Sequence, residues 1–194
     1  GLAAQVIADA TDQPFAQFSM DRVGEPLGLA GFWGHVGPTD RAGVQAATLY
    51  SRDEDGVFDA LPPYALATWP DGQFNASVAD LARLMAVMMG EGRLGDQQIF
   101  PAAVIARQKT PRVMDVPGKT EPGDFIGLFW ERETLRFGPL AFTFEGHSGG
   151  APGVLTFMYH DPTSPRGCVV MFNGEPDSLA GILAIVRLAR YLSR

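Results

Sequence analysis

The spacing of apolar residues divides the chain into a helical first part and a β-rich last part. Leu2, Val6, Ile7 and Ala10 recur at helical intervals directly after Gly1, which predicts an opening helix. Pro14 suits the first position of a second helix running toward Val23, where a missing amide costs nothing, and EPLGLAG ends it. The clearest periodicity follows Ser77. Val78, Leu81, Ala82, Met85, Met88 and Met89 fall on one face, Ser77 and Asp80 have the spacing of a capping box, and Gly90 stops the helix. Its three methionines read as core packing. PAAVIARQ predicts another short helix beginning at Pro101.

Residues 31 to 76 lack such periodicity. GHVGPTD, SRDEDG, LPPY and WPDG are turn-rich, and they predict a long excursion over a surface or around a cleft. From about residue 124 the apolar residues gather into short runs: FIGLFW, TLRF, LAFTF, VLTFMY and CVVMF, with hairpin-length links such as DPTSPRG. Closely spaced strands of this kind predict an antiparallel meander. Leu179, Ile182, Leu183, Val186 and Ala189 share one face of a terminal helix suited to lying across that sheet. The fold class is therefore α+β. Residues 1–123 form a helical, loop-rich lobe portion and residues 124–194 the strands and C-terminal helix, together one incomplete domain.

Composition narrows the chemistry. A length of 194 residues with 46% apolar content permits one sizeable core. A formal charge of −7 leaves too few scattered cations to displace counterions from a phosphate backbone, so no nucleic-acid partner is expected. His35, His147 and His160 lack metal-ligand spacing, and no phosphate-cradling glycine motif is present, so neither metal nor cofactor is expected. Cys168, alone in CVVMF, reads as a small buried apolar residue. No apolar run approaches the roughly eighteen residues of a membrane helix. The chain begins at Gly1 and goes directly into an uncapped helix, like a chain entered partway through.

The stretch FEGHSGGAPG, residues 144 to 153, carries the candidate chemistry. Gly146-His147-Ser148-Gly149-Gly150 fits G-x-S-x-G, the nucleophile turn of α/β-hydrolases, with Ser148 as nucleophile. That turn needs a helix directly after the serine, then an acid and a histidine; here Ala151-Pro152-Gly153 leads into another strand-like run. The other reading puts GHSG on a strand at a sheet rim, where glycines keep side chains out of a ligand's way.

On the second reading the chain resembles the serine β-lactamase-like hydrolases, which include class C β-lactamases, D-alanyl-D-alanine carboxypeptidases and related esterases. GLAAQVIADATDQPFAQF and EPLGL look like the helix pair after that family's tyrosine motif, and WPDGQFNASVADLARLM like the approach to a later helix. EGHSGGAPG looks like its third motif, K-T-G in penicillin-recognising members and often H-x-G in esterase-like ones; HDP and VVMFN also fit. The resemblance implies the β-lactamase/transpeptidase-like fold, with an antiparallel sheet flanked by helices. It further implies that His147 polarises and orients catalytic groups, that Ser148 and Gly149 complete the motif, that Gly150 gives a backbone N–H to an oxyanion hole, and that Ala151 continues the edge beside an extended acyl substrate. Lys119-Thr120 mimics K-T-G, but Glu121 replaces the glycine and the segment reads as solvated loop.

The family's nucleophile is a serine with lysine three residues later, one helical turn away. Three positions after Ser19, Ser51, Ser77, Ser148, Ser164 and Ser178 stand Arg22, Glu54, Asp80, Ala151, Gly167 and Gly181, and Ser193 lies too near the end. Tyr-x-Asn is absent as well. Both motifs precede, in the family, the point at which this chain begins. The expectation is thus the C-terminal part of a serine hydrolase acting on a small ester, amide or β-lactam, inactive alone. The missing N-terminal part is either continuous with it or a separate chain. A non-catalytic binding or scaffold domain of the same fold is the alternative; the sequence itself does not give the location, and the resemblance favours a periplasmic or secreted one.

Overall fold

The computed structural model describes residues 1–114, 123–174 and Tyr191, apart from Val36, Pro38, Thr39, Ala42, Gly43 and Gly138. The expected terminal helix and the Lys119-Thr120 loop lie outside the described residues. The chain forms two compact units, the first made of Gly1–Asp80, Gly149–Leu155 and Met171–Glu175.

In the first unit α1 spans Leu2–Thr11 and ends on Asp12 in the left-handed region, φ 51°. Its expected apolar stripe is not buried: Leu2 is 83% and Val6 59% exposed, and Ala4 alone of this helix is fully covered. Pro14 caps rather than begins α2, Phe15–Ser19. The helix continues through a π turn, Met20–Gly24, into α3, Glu25–Leu27, and stops at Gly28, φ 64°. It therefore runs a turn beyond Val23. Pro26 has no N–H and would crowd a regular preceding turn, and a widened π turn lies just before it.

The excursion contains more order than its composition suggests. β1 (Phe32–Trp33) pairs with the later β6 (Phe74–Asn75), β2 (Asp40–Arg41) with β3 (Val44–Gln45), and β4 (Tyr50–Arg52) with β5 (Phe58–Ala60), all antiparallel. Trp33 stacks among Phe15, Trp69 and Phe74 at centroid distances of 5.1 to 5.4 Å, and its indole N–H donates to Ser19 Oγ at 2.7 Å. The β1–β6 pairing joins residues too far apart in sequence for local periodicity to reveal, whereas β2–β3 and β4–β5 are short local hairpins.

Helix α4, Val78–Met89, opens with the predicted cap. Ser77 N–H and Oγ–H donate to Asp80 Oδ2 at 3.0 and 2.9 Å, and Asp80 N–H donates back to Ser77 Oγ at 3.1 Å. Asp80, 2% exposed, also accepts from Ala30 N–H at 3.0 Å, so one carboxylate fixes both the helix start and the segment after α3. Val78, expected on the apolar face, is 48% exposed, while Val87, outside that stripe, is fully buried.

The second unit, in its described part, is Leu81–Ser148 and Thr156–Val170. A small hairpin, β7 (Arg93–Leu94) with β8 (Gln97–Gln98), leads to α5, Ala102–Lys109, capped by Pro101. Met85, Met88, Ile105, Trp130 and Met158 form the core, joined by Leu81, Leu84 and Val169. Each such side chain contributes about 1.5–3 kcal/mol by leaving water.

Among the described residues the sheet has five strands in the order β13-β12-β11-β10-β9: β9 (Phe125–Ile126), β10 (Glu131–Phe137), β11 (Leu140–Ala151), β12 (Val154–His160) and β13 (Gly167–Phe172). β10 is antiparallel to both its neighbours, and the links from β11 onward are too short for a parallel crossover. FIGLFW supplies only two strand residues. Gly127 N–H turns back to Trp130 O at 2.7 Å and Phe129 sits at φ 56°, which breaks the run. Cys168 is half-buried in β13, and burial pushes its thiol above the ordinary range.

Candidate functional site

β11 brings the sequence-predicted residues into one row. His147 is exposed, Ser148 and Gly149 half-buried, Gly150 exposed and Ala151 half-buried, all in extended conformation. No helix follows Ser148. The strand ends in a hairpin at Pro152-Gly153, so the strand-turn-helix of a nucleophile elbow is not formed.

The register with β10 sets this row apart from the rest of the strand. Pairing runs from Phe137↔Leu140 to Glu131↔Gly146 and ends there; His147 through Ala151 continue beyond Glu131, where β10 begins. Gly146 marks the boundary. A Cβ there would fall on the carbonyl oxygen of Met158, so only glycine lets β12 approach this closely.

Ser148 takes part in a hydrogen-bonded chain. Its hydroxyl bonds to the Tyr159 hydroxyl, which in turn donates to Glu131 Oε1 at 3.0 Å. Burial, opposed by the Ser148 bond and reinforced by Glu131, holds the Tyr159 hydroxyl well above its ordinary value. Tyr159 therefore remains a neutral phenol that donates to Glu131 and accepts from Ser148, and it packs against Phe144. Ser148 is thus held as donor to a neutral phenol, which is not a base that would make it a nucleophile.

The hairpin after the motif is held within the first unit by the excursion. Tyr64 Oη–H donates to Pro152 O at 2.8 Å, Tyr50 N–H to Asn173 O at 3.0 Å, and Asn173 Nδ2–H to Thr48 O at 3.0 Å. Gly153, φ 73°, takes a conformation that favours glycine, and a Cβ there would press on Leu49 and Leu61. The turn-rich region thus fixes the turn at which the row His147–Ala151 ends.

A second polar group went unread in the sequence. Glu145, 6% exposed, accepts from Arg132 Nε–H at 3.0 Å and also from its Nη2, while its other oxygen lies 3.8 Å from Lys109 Nζ and 3.6 Å from His160 Nε2. Burial lowers the Lys109 ammonium below its usual range, against the pull of Glu145 and Glu91. His160 is likewise lowered, first by burial and then by Lys109, against the Asp161 carbonyl and Glu145, and so is neutral. The signal was a lone acid in the aromatic run LAFTFEG, but its partners lie 13, 15 and 36 residues away.

Comparison with known proteins identifies the fold. The Beta-lactamase family profile matches residues 1–190. The octameric penicillin-binding protein homologue from Pyrococcus abyssi superposes with TM-score 0.76 at 20% identity, over 98% of this chain and 40% of that one. A D-stereospecific amidohydrolase from a Streptomyces species gives 0.71 at 20% over 94% and 51%, and the D-alanine carboxypeptidase AmpC from Burkholderia cenocepacia 0.71 at 18% over 99% and 58%. The chain thus spans about half the length of these structures. A comparison with curated proteins finds no match.

Proposed function

The chain belongs to the Beta-lactamase family, and from that premise we propose that it forms one wall of the active site of a serine hydrolase that cleaves an ester or amide through an acyl-enzyme. The observation that carries this reading is the run of His147 through Ala151 past the end of β10. A strand that outlasts its neighbour can meet an extended substrate through its exposed residues, here His147 and Gly150, and Gly150, where an added Cβ would make only ordinary contacts, leaves space beside that backbone.

In this reading the attacking serine lies outside these 194 residues, since no serine here has lysine three positions on. His147 polarises and orients the reacting groups from the exposed face of β11. The Gly150 N–H donates to the oxyanion as the carbonyl carbon becomes tetrahedral, a contribution of about 3 kcal/mol that grows as the charge develops. Ser148 and Gly149 hold the row in register, Ser148 through Tyr159, and Ala151 continues the edge along the acyl chain. Histidine where penicillin-recognising relatives carry lysine favours an esterase or peptidase substrate over a β-lactam.

The test is hydrolysis of a small activated ester and a D-amino acid amide by the intact protein. His147→Ala is expected to lower kcat/KM by about 100-fold or more while the thermal midpoint stays within about 1 °C, because the side chain is exposed. Unchanged turnover in that variant removes His147 from the mechanism. Absence of any acylation by an activated ester returns the protein to the binding or scaffold alternative.

A further inference from the structure

Glu145 and its partners line a cavity of about 660 Å³ that lies wholly within the second unit, between α4, the end of α5 and the sheet. Met85, Met89 and Pro162 form apolar wall; Lys109, Arg132, Glu145 and His160 form the polar side. The volume is that of a small-molecule site. Its polar side is incompletely satisfied. His160 is 5% exposed, and its Nε2 has no hydrogen-bond partner among the described residues.

The tautomer decides what this atom needs. Nδ1 stands 3.1 Å from Asp161 O, so it carries the proton and donates to that carbonyl. Nε2 is then a bare acceptor. It faces Glu145 Oε2, a second acceptor, at 3.6 Å, and a group donating a hydrogen bond between them would relieve both. Charge decides the rest. Two cations, Lys109 and Arg132, line the cavity against one carboxylate, leaving one positive charge in excess among the lining groups. Another ammonium would be repelled, whereas an anion would be drawn to Lys109, whose Nζ lies 5.6 Å over the Trp130 ring and 3.8 Å from Glu145, so an incoming carboxylate would share that cation with Glu145.

We infer that this cavity is a second, non-reacting ligand site for a small α-hydroxy carboxylate with an apolar substituent. The carboxylate pairs with Lys109, the hydroxyl donates to His160 Nε2, and the substituent lies against Met85 and Met89, where thioethers suit an aromatic ring. The site is independent of acylation, because none of its groups belongs to the row His147–Ala151.

The probes are 3-phenyllactate and its deoxy analogue 3-phenylpropionate, titrated into the intact protein by calorimetry and followed by ¹⁵N resonances of the His160 ring. Phenyllactate is expected to bind at least ten-fold more tightly than phenylpropionate, since only it satisfies the buried acceptor. Its binding should shift the Nε2 resonance, weaken at least ten-fold in Lys109→Gln and persist in His147→Ala. Equal affinity for the two acids, unaltered affinity in Lys109→Gln, a silent His160 resonance, or no binding of either acid overturns the site. Loss of binding in His147→Ala would instead locate the acid at the end of β11, and it too overturns the proposal. Activity toward esters can fail without touching any of these readouts.

Discussion

The two parts of β11 have the same backbone conformation and opposite surroundings. From Leu140 to Gly146 every residue has a β10 partner, and Phe142, Phe144 and Glu145 are buried. From His147 to Ala151 the strand runs past β10, and His147 and Gly150 are exposed. The first part commits its backbone and side chains to the fold. The second has Gly146 under Met158 at one end and Tyr64 on Pro152 at the other, and His147 and Gly150 between them stay exposed. Holding a strand by its ends lets it be ordered without being covered.

The sharpest way to break this contrast is to place a methyl group at the boundary. Gly146→Ala would drive a Cβ into the Met158 carbonyl, and backbone cannot yield as a side-chain tip can. Chemical denaturation should show a loss of more than about 3 kcal/mol. A loss below about 1 kcal/mol would mean that β12 shifts freely and that the row is not fixed at this end.

Removing the buried acid tests the committed part. Glu145→Ala leaves Arg132 and Lys109 without their carboxylate, and the expected destabilisation is about 2–4 kcal/mol, toward the lower end because Arg132 is partly solvated. Hydrolysis per folded molecule should be nearly unchanged if the two parts are functionally separate. A fall in kcat at constant stability would tie Glu145 to the reaction.

His160 gives a smaller, pH-dependent effect. Burial and Lys109 lower its folded value below that of the unfolded chain, although Glu145 and the Asp161 carbonyl oppose them. The unfolded state therefore binds the proton more readily. The associated stability is fully present above the ordinary histidine value of about 6.5 and is lost as pH falls from there toward the lowered folded value. Unfolding free energy measured across this window should rise with pH by a slope of at most one proton, and His160→Gln should remove that slope. A wild-type slope of the opposite sign would mean that Glu145 holds His160 charged.

The sequence was informative where a single short segment decides its own state. Ser77 and Asp80 announced a cap because both halves of that bond lie within one turn, and LAFTF, VLTFMY and CVVMF announced strands because alternation and β-branching are local. The candidate row His147–Ala151 was singled out through its order relative to neighbouring motifs. What stayed hidden depends on partners distant in sequence. β1 finds β6 some forty residues later, and the exposure of Leu2 and Val6 cannot be told from a stripe that a helix shows equally when covered or bare. The overhang of β11 is of the same kind, since it depends on where β10 begins rather than on anything within GHSGG.

The mildest substitution makes the contrast most specific, because it repeats the boundary change four residues along the same strand. At Gly150 a Cβ would meet Leu155 Cδ1 at 3.5 Å and Val154 O at 3.9 Å, both ordinary contacts, and the backbone is extended. Gly150→Ala should therefore change stability by less than about 0.5 kcal/mol. It also keeps the N–H through which Gly150 is proposed to act, so kcat should stay within about three-fold if the donor is the backbone and the new methyl group misses the substrate. A large fall in kcat with KM unchanged would mean that the transition state needs the space above Gly150 as well as its amide. A rise in KM alone would mean that the acyl chain, rather than the oxyanion, lies over this residue, moving the reacting carbonyl toward His147.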